Sequence, residues 1–135
     1  MATTGSTNGS FMLSPLPLEV AKTANYQVLV TDNNTLFTNT GAGAAVVFTL
    51  PAIAAGLCFE FLAVADFAIT VASLAGSDLV WINDAAANSL AFSTSGEIIG
   101  GWLRVQANAA GTKWYVSNQS TGVNGTGGNT ITVAT

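Results

Sequence analysis

The chain has 135 residues, of which half are hydrophobic and only 7% are charged, with a formal net charge of −4. Three basic residues are too few to bind a nucleic-acid backbone or an anionic membrane surface. With no histidine and one cysteine, the common catalytic pairs, the commonest metal ligand and an internal disulfide are excluded. We therefore expect one domain that is not an enzyme and needs no cofactor or metal.

Residues 1–25 are predicted to form an extended N-terminal arm. Residues 1–10 are small and polar, and they lack the basic and apolar regions of a signal peptide. An apolar stretch follows in which Pro15 and Pro17 favour an extended path. The arm either folds back on its own domain or lies in a groove of a neighbouring subunit. Its apolar side chains are the candidate partner-binding residues: Phe11, Met12, Leu13, Leu16 and Leu18.

Residues 26–117 are predicted to form an all-β core. Tyr26–Val30 is the first expected strand, and Leu36–Val71 contains four more, separated by a glycine-bearing turn at residues 39–43 and by Pro51. Apolar residues recur at every second position, so each strand directs one set towards the core. That set is Val46, Phe48, Leu50, Leu57, Phe59, Phe61, Phe67, Ile69 and Val71. The alternation and Pro51 also argue against a membrane helix in this apolar run.

The second half of the chain is predicted to add further strands. Leu79–Asn83 is apolar on both faces, which indicates a central or an interfacial strand, and residues 84–88 are expected to form a loop or a helical turn. The remaining core strands are expected at Leu90–Ser93, at Glu97–Ala107 with a bulge or bend at Gly100-Gly101, and at Lys113–Ser117.

Residues 118–135 are predicted to form a tail rich in Gly, Asn and Thr, with a possible last strand at Ile131–Val133 that pairs with a neighbouring subunit. Eight or more short strands and no helix of normal length indicate a single domain. We predict a β-sandwich or barrel-like domain, jelly-roll or tulip-like, with the arm extending from it.

Few side chains suggest chemistry. Cys58 is predicted to be a small buried hydrophobe, whereas Glu60 has the opposite parity to its apolar neighbours and should face solvent or a partner. Asp78 and Asp84 flank a strand, and we interpret them as turn residues rather than as a calcium site or a carboxylate pair. The tryptophans are expected in the core or a subunit interface rather than stacked on sugars: Trp81, Trp102 and Trp114.

Several short motifs follow one another in a characteristic order. They are F-T-N-T-G-A, F-T-L-P, A-G-L-x-F-x-F, I-T-V and a closing K-W-x-V, at residues 37–42, 48–51, 55–61, 69–71 and 113–116. In this order, over residues 26–117, the chain resembles a small β domain of tailed bacteriophages that occurs in capsid decoration (cement) proteins and in tail and fibre proteins. The resemblance implies an all-β domain, usually in a symmetric oligomer, without catalysis.

The low charge and the resemblance lead to one functional expectation. The chain is expected to be a virion structural protein on the outer capsid surface, which stabilises the capsid by binding across neighbouring subunits of the major capsid protein. A homotrimer is the expected assembly, with a dimer as the alternative, and neither nucleic acid nor membrane is an expected partner. The alternative function is a carbohydrate- or receptor-binding module of a phage tail or fibre.

Overall fold

The computed structural model describes residues 16–118 and 130–135 and shows two β-sheets packed against each other. The strands are β1 Leu18–Ala21, β2 Tyr26–Gln27, β3 Thr35–Thr38, β4 Val46–Thr49, β5 Cys58–Leu62, β6 Ile69–Ala72, β7 Leu79–Trp81, β8 Asp84–Ala87, β9 Ser89–Phe92, β10 Trp102–Ala107, β11 Trp114–Asn118 and β12 Ile131–Ala134. Seven of them form one sheet, in the order β1-β3-β5-β10-β11-β7-β8, and five form the other, in the order β12-β9-β6-β4-β2. The prediction of an all-β sandwich or barrel-like domain is confirmed.

The core lies between the two sheets and follows the predicted alternation. Every residue of the predicted apolar set is buried except Phe67, which is 39% exposed because it lies in the loop before β6. Phe37 and Phe61 from the seven-stranded sheet meet Phe48 from the five-stranded sheet, with ring centroids 5.1–5.7 Å apart. Burying each of these side chains contributes about 1.5–3 kcal/mol, so this cluster is a main source of stability.

The predicted turn at residues 39–43 is confirmed and has a second role. Gly41 adopts a φ of +80°, which a glycine tolerates without strain. The Asn39 side chain is fully buried, and its Oδ1 accepts hydrogen bonds from the amides of Val64 (2.7 Å) and Ala65 (2.9 Å). Its Nδ2 donates to the carbonyls of Ala65 (3.2 Å) and Phe67 (2.9 Å). Asn39 thus ties the turn after β3 to the loop between β5 and β6.

The first predicted strand, Tyr26–Val30, is shorter than expected. Only Tyr26–Gln27 pair with β4, and Val30–Asp32 form a single 3-10 turn. The Asp32 carboxylate accepts a hydrogen bond from the Leu29 amide at 2.9 Å. A short acidic side chain that accepts a hydrogen bond from a backbone amide three residues earlier favours a turn over continued strand pairing.

The prediction of one long strand over Glu97–Ala107 was wrong, because β10 begins only at Trp102. Gly100 has a φ of +87° and belongs to the preceding turn. Gly101 lies against the ring of Phe92 from the other sheet: a Cβ at this position would be 2.6 Å from Phe92 Cγ. The glycine pair therefore permits a bend and a close approach of the two sheets just before the strand begins.

The region around Asn83 also differs from expectation. The strand predicted at Leu79–Asn83 ends at Trp81, and residues 84–88, predicted to be a loop or helical turn, contain strand β8, which pairs antiparallel with β7. Asn83 has a φ of +58°, a conformation that asparagine tolerates better than most residues. The result is a β7–β8 hairpin at one edge of the seven-stranded sheet rather than a central strand, and the alternative of an interfacial strand stays a prediction.

The arm ends earlier than residue 25. Leu18–Ala21 form β1, which pairs parallel with β3, so the end of the predicted arm is part of the sheet. The possible last strand is confirmed as β12, but the expected partner was wrong: β12 pairs antiparallel with β9 of its own chain rather than with a neighbouring subunit. Across residues 16–118 and 130–135, there is no helix with the length and apolar character that crossing a membrane requires.

Candidate functional site

The predicted partner-binding residues divide into two groups. Phe11, Met12 and Leu13 lie outside the residues that the structure describes. Leu16 and Leu18 are described, and their side chains are 91% and 76% exposed. Two leucines therefore present apolar surface to solvent at the edge of the seven-stranded sheet, where the N-terminal segment joins the domain.

The position of this exit point is fixed by β1. The amide of Lys22 donates to the Thr38 carbonyl at 2.8 Å, and the Thr38 hydroxyl donates to the Glu19 carboxylate at 3.4 Å. Val20, in the middle of β1, packs against the core. The last residues of the predicted arm are thus held by the domain, whereas Leu16 projects from it.

A groove of about 530 Å³ adjoins this exit point on the outer face of the seven-stranded sheet. Glu60 on β5 and Arg104 on β10 are direct cross-strand partners within it. The complete lining is Leu16, Pro17, Asn33, Asn34, Gly56, Cys58, Glu60 and Arg104. The groove thus combines an apolar rim with amide groups and with one charge of each sign.

Arg104 is held in place by the neighbouring strand. Its Nε donates to the Cys58 sulfur at 3.2 Å, and this contact is the main reason that the pKa of Arg104 is raised, with a smaller contribution from Glu60. Cys58 is only half-buried, so the prediction of a buried hydrophobe was wrong. Because Phe59 points into the core, the preceding residue must point outwards.

The same outer face carries two aromatic side chains. Trp102 is half-buried, and its Nε1 donates to the Glu60 carboxylate at 3.1 Å, which confirms that Glu60 does not face the core. Tyr115 on β11 is 55% exposed. Of the expected core or subunit-interface positions, Trp114 is fully buried in the core, whereas Trp102 lies on the outer face beside polar groups, where a subunit interface stays a prediction. The signal in the sequence was that Trp102 directly precedes the apolar Leu103 on one strand, so that the two side chains point to opposite faces of the sheet.

The β7–β8 hairpin provides a second exposed apolar point. Ile82 at its tip is 72% exposed, while the adjacent Trp81 packs against the core. Lys113 Nζ donates to the carbonyls of Ser77 (2.9 Å) and Ala85 (2.7 Å), which fixes the hairpin to the neighbouring turn. A shallow cleft of about 400 Å³ beside it is lined by Val80, Trp81, Ile82, Asn83, Asp84, Ala85 and Val116.

The two acids that flank β7 have structural contacts. Asp84 accepts a hydrogen bond from the Ala86 amide at 2.8 Å, and the Asp78 carbonyl accepts one from the Trp114 amide at 2.9 Å. One Asp78 carboxylate oxygen is buried without a hydrogen-bond partner. Among the described residues, no group of three or more His, Cys, Asp or Glu side chains is placed to hold a metal ion. Asp78 directly follows a bend, whereas Asp84, interpreted from the sequence as a turn residue, is the first residue of strand β8.

No protein-family model matches the chain, and neither a curated protein nor a solved structure matches it. The described surfaces offer exposed apolar side chains, a mixed groove and paired aromatic and charged groups, all of which are suited to binding.

Proposed function

We propose that this chain is a virion structural protein that decorates the outer surface of a tailed-phage capsid and stabilises it by binding across neighbouring subunits of the major capsid protein. The observation that carries the proposal is the apolar start of the domain. Leu16 and Leu18 are exposed beside a groove, and the apolar Phe11, Met12 and Leu13 precede them in the chain. Exposed apolar side chains in an extended segment are suited to lie in a groove of a partner.

The proposed assembly is a homotrimer, with a dimer as the alternative. Burying each arm side chain fully would contribute about 1.5–3 kcal/mol, of which part is lost to ordering the backbone. A single arm would therefore bind weakly. Several arms on one oligomer bind several capsid subunits at once, and their combined affinity far exceeds that of one arm.

The low charge of the chain supports attachment by apolar contacts. Only three basic residues are available, and Lys113 and Arg104 already contact neighbouring backbone or side-chain groups. Binding through such contacts should change little with ionic strength, whereas binding through exposed charges weakens as salt is added. We therefore propose that attachment to the particle persists at high salt.

The test is binding to undecorated particles assembled from the major capsid protein encoded in the same genome. The variant Leu16→Ser/Leu18→Ser is expected to bind at least tenfold more weakly than the unaltered protein. Leu74→Ser is the matched control, because Leu74 is 55% exposed in the loop between β6 and β7. Equal binding of the unaltered protein and the double variant would contradict the proposed role of these leucines, and no binding by either would contradict the capsid proposal.

A carbohydrate- or receptor-binding module is the second candidate function. Trp102 and Tyr115 share the outer face of the seven-stranded sheet with Glu60 and Arg104, and an aromatic ring beside polar groups is a usual way to bind a sugar. Screening against a glycan array tests this candidate. Binding that is lost in Tyr115→Ala and kept in the Leu16→Ser/Leu18→Ser variant would favour it over capsid decoration.

A further inference from the structure

The tetrapeptide ITVA occurs twice in the chain, once as β6 and once as β12. Both strands pair antiparallel with β9 in the same register, one on each side, so that Ile69 and Ile131 are both partners of Phe92. The far side of β6 is covered by β4. The far side of β12 has no neighbour among the described strands, and β12 forms an edge of the five-stranded sheet.

The other three sheet edges are protected against pairing. β1 carries Glu19 and follows Pro17, and β8 carries Asp84. β2 has only two residues, and the side chain of Gln27 donates to the Thr49 carbonyl at the end of β4. Charges, prolines and short strands are the usual means of blocking an edge. β12 contains neither a charge nor a proline, and none of the described strands pairs with its outer edge.

The charge distribution favours one occupant of this edge. None of the three basic and seven acidic residues lies on β2, β4, β6, β9 or β12. The seven-stranded sheet carries its charges at Glu19, Glu60, Asp84 and Arg104. Two copies of a chain with net charge −4 repel each other where their acids meet. The strands of the five-stranded sheet carry no charge, and the acid beside β12, Glu97, already accepts a hydrogen bond from the Thr130 amide, so repulsion is weaker there, which favours a second copy as the partner of β12.

The directions of the backbone groups follow from the hydrogen bonds of β6. The carbonyl of Ala72 accepts a hydrogen bond from the amide of Leu50, just beyond β4. Because backbone groups alternate along a strand, Thr70 also points towards β4, and Ile69 and Val71 point towards β9. Each residue can use its N–H and C=O groups on one side only, so this assignment constrains the next strand.

On β9, Leu90 and Phe92 are the partners of these two residues and point towards β6. The intervening Ala91 therefore points towards β12, where its partner is Thr132. Thr132 uses its backbone groups to bond β9. The residues on either side of it, Ile131 and Val133, then direct their N–H and C=O groups away from the sheet.

We propose that β12 pairs antiparallel with β12 of a second copy, through the outward groups of Ile131 and Val133, and joins two five-stranded sheets into one of ten strands. The two-fold axis passes beside Thr132, which lies opposite Thr132 of the second copy as a non-hydrogen-bonded pair. The inference rests on the dimeric alternative of the proposed function, rather than on the homotrimer, and assigns the contact of that dimer. It requires an even number of copies: a dimer, or two trimers joined.

Disulfide trapping tests the register. In a non-hydrogen-bonded antiparallel pair the Cα atoms are about 4.5 Å apart, which a disulfide can span. The variant Thr132→Cys in a Cys58→Ser background is expected to form a covalent dimer under mild oxidation at micromolar concentration. Ser117→Cys in the same background is the control, because Ser117 is exposed on the other sheet. No cross-link at residue 132, or equal cross-linking in both variants, would overturn the proposal.

Mass measurement by analytical ultracentrifugation tests the contact itself. The unaltered protein is expected to have an even number of copies, and Thr132→Lys, which brings two ammonium groups together, is expected to halve the mass. Ser117→Lys should leave the mass unchanged. If Thr132→Lys does not fold, the mass of the unaltered protein and the cross-linking of the two cysteine variants, Thr132→Cys and Ser117→Cys, decide whether β12 joins the copies.

The outcomes separate this proposal from the proposed function. A trimer or a monomer of the unaltered protein would overturn the β12 contact, and a trimer that binds particles would leave capsid decoration intact. An even-numbered oligomer that binds no particles would contradict capsid decoration and leave the β12 contact intact. An unchanged mass in Thr132→Lys would show that another surface joins the copies.

Discussion

Asn39 and Ala65 are joined by two reciprocal hydrogen bonds, from Asn39 Nδ2 to the Ala65 carbonyl and from the Ala65 amide to Asn39 Oδ1. Asn39 is fully buried and also bonds the amide of Val64 and the carbonyl of Phe67. One amide side chain therefore satisfies four backbone groups of the loop between β5 and β6. This contact explains why an asparagine suits the centre of the F-T-N-T-G-A motif.

Replacing Asn39 with alanine is expected to destabilise the domain by about 3 kcal/mol. The reason is that each buried backbone group left without a partner costs about 1–3 kcal/mol, of which water entering the loop recovers part. Urea denaturation measures the change in the free energy of unfolding. Asn33→Ala is the control, because Asn33 also bonds two backbone groups but is exposed. A loss below about 1 kcal/mol for Asn39→Ala would show that the loop holds its conformation without this side chain.

Two glycine substitutions should have opposite effects. In Gly101→Ala the new Cβ would lie 2.6–2.8 Å from three ring atoms of Phe92, so the two sheets must move apart or the ring must shift. We expect a loss of about 1–3 kcal/mol, typical of overpacking. In Gly43→Ala the Cβ meets no atom within 4 Å, and stability should be unchanged or rise by up to about 1 kcal/mol. Thermal unfolding of both variants checks this pair, and equal midpoints would contradict it.

Tyr26 should make stability fall at high pH. Its pKa is raised above the ordinary value of 10.0, first by burial and then by the hydrogen bond to Asp32 and the negative charge of that residue. Above pH 10 the unfolded chain loses this proton more readily than the folded one, so stability decreases as pH rises through the folded pKa. Below pH 10 the contribution is fully present.

The measurement is the unfolding midpoint of the unaltered protein and of Tyr26→Phe from pH 8 to pH 11. The difference between the two should narrow above pH 10, because the phenylalanine variant has no phenol to titrate. Tyr115→Phe, at an exposed position, should follow the unaltered protein throughout. A constant difference in unfolding midpoint between the unaltered protein and Tyr26→Phe would contradict the prediction that the raised pKa of Tyr26 makes stability fall at high pH.

Removing residues 1–15 should leave the domain folded and weaken its attachment to capsid particles. The cut lies before β1, so the pairing of Leu18–Ala21 with β3 and the packing of Val20 are kept. Circular dichroism should show the β signal of the full chain, while particle binding should fall at least tenfold. A lost β signal would place the arm in the core of its own domain, and unchanged binding would remove its docking role.

The sequence was sufficient to predict which residues form the core of the sandwich. The alternation from Val46 to Val71 has a period that only a strand can bury on one side, and Gly41 and Pro51 mark turns through their own backbone restrictions. These are local properties of the chain. The same reasoning applied to parity would have placed Cys58 on the outer face.

Contacts between distant segments could not be predicted from the sequence. Nothing near Leu18 indicates that it pairs with Thr35, and the short polar-to-alanine run at Asp84–Ala87 becomes a strand only because β7 offers it a partner. The Arg104–Cys58 contact likewise depends on which strands are neighbours. Strand pairing is a long-range choice, made where the whole chain buries most apolar surface.

The two ITVA segments separate these contributions most clearly. The sequence predicts a strand for the first segment and a possible strand for the second, each with its isoleucine and valine on one face, because β-branched residues favour strands and the apolar residues alternate with a threonine. Only the tertiary structure decided how deeply each segment is buried. Ile69 and Val71 are fully buried, since β4 covers the far side of β6, whereas Val133 at the edge is 37% exposed. Burial is a property of neighbours, and identical tetrapeptides have different ones.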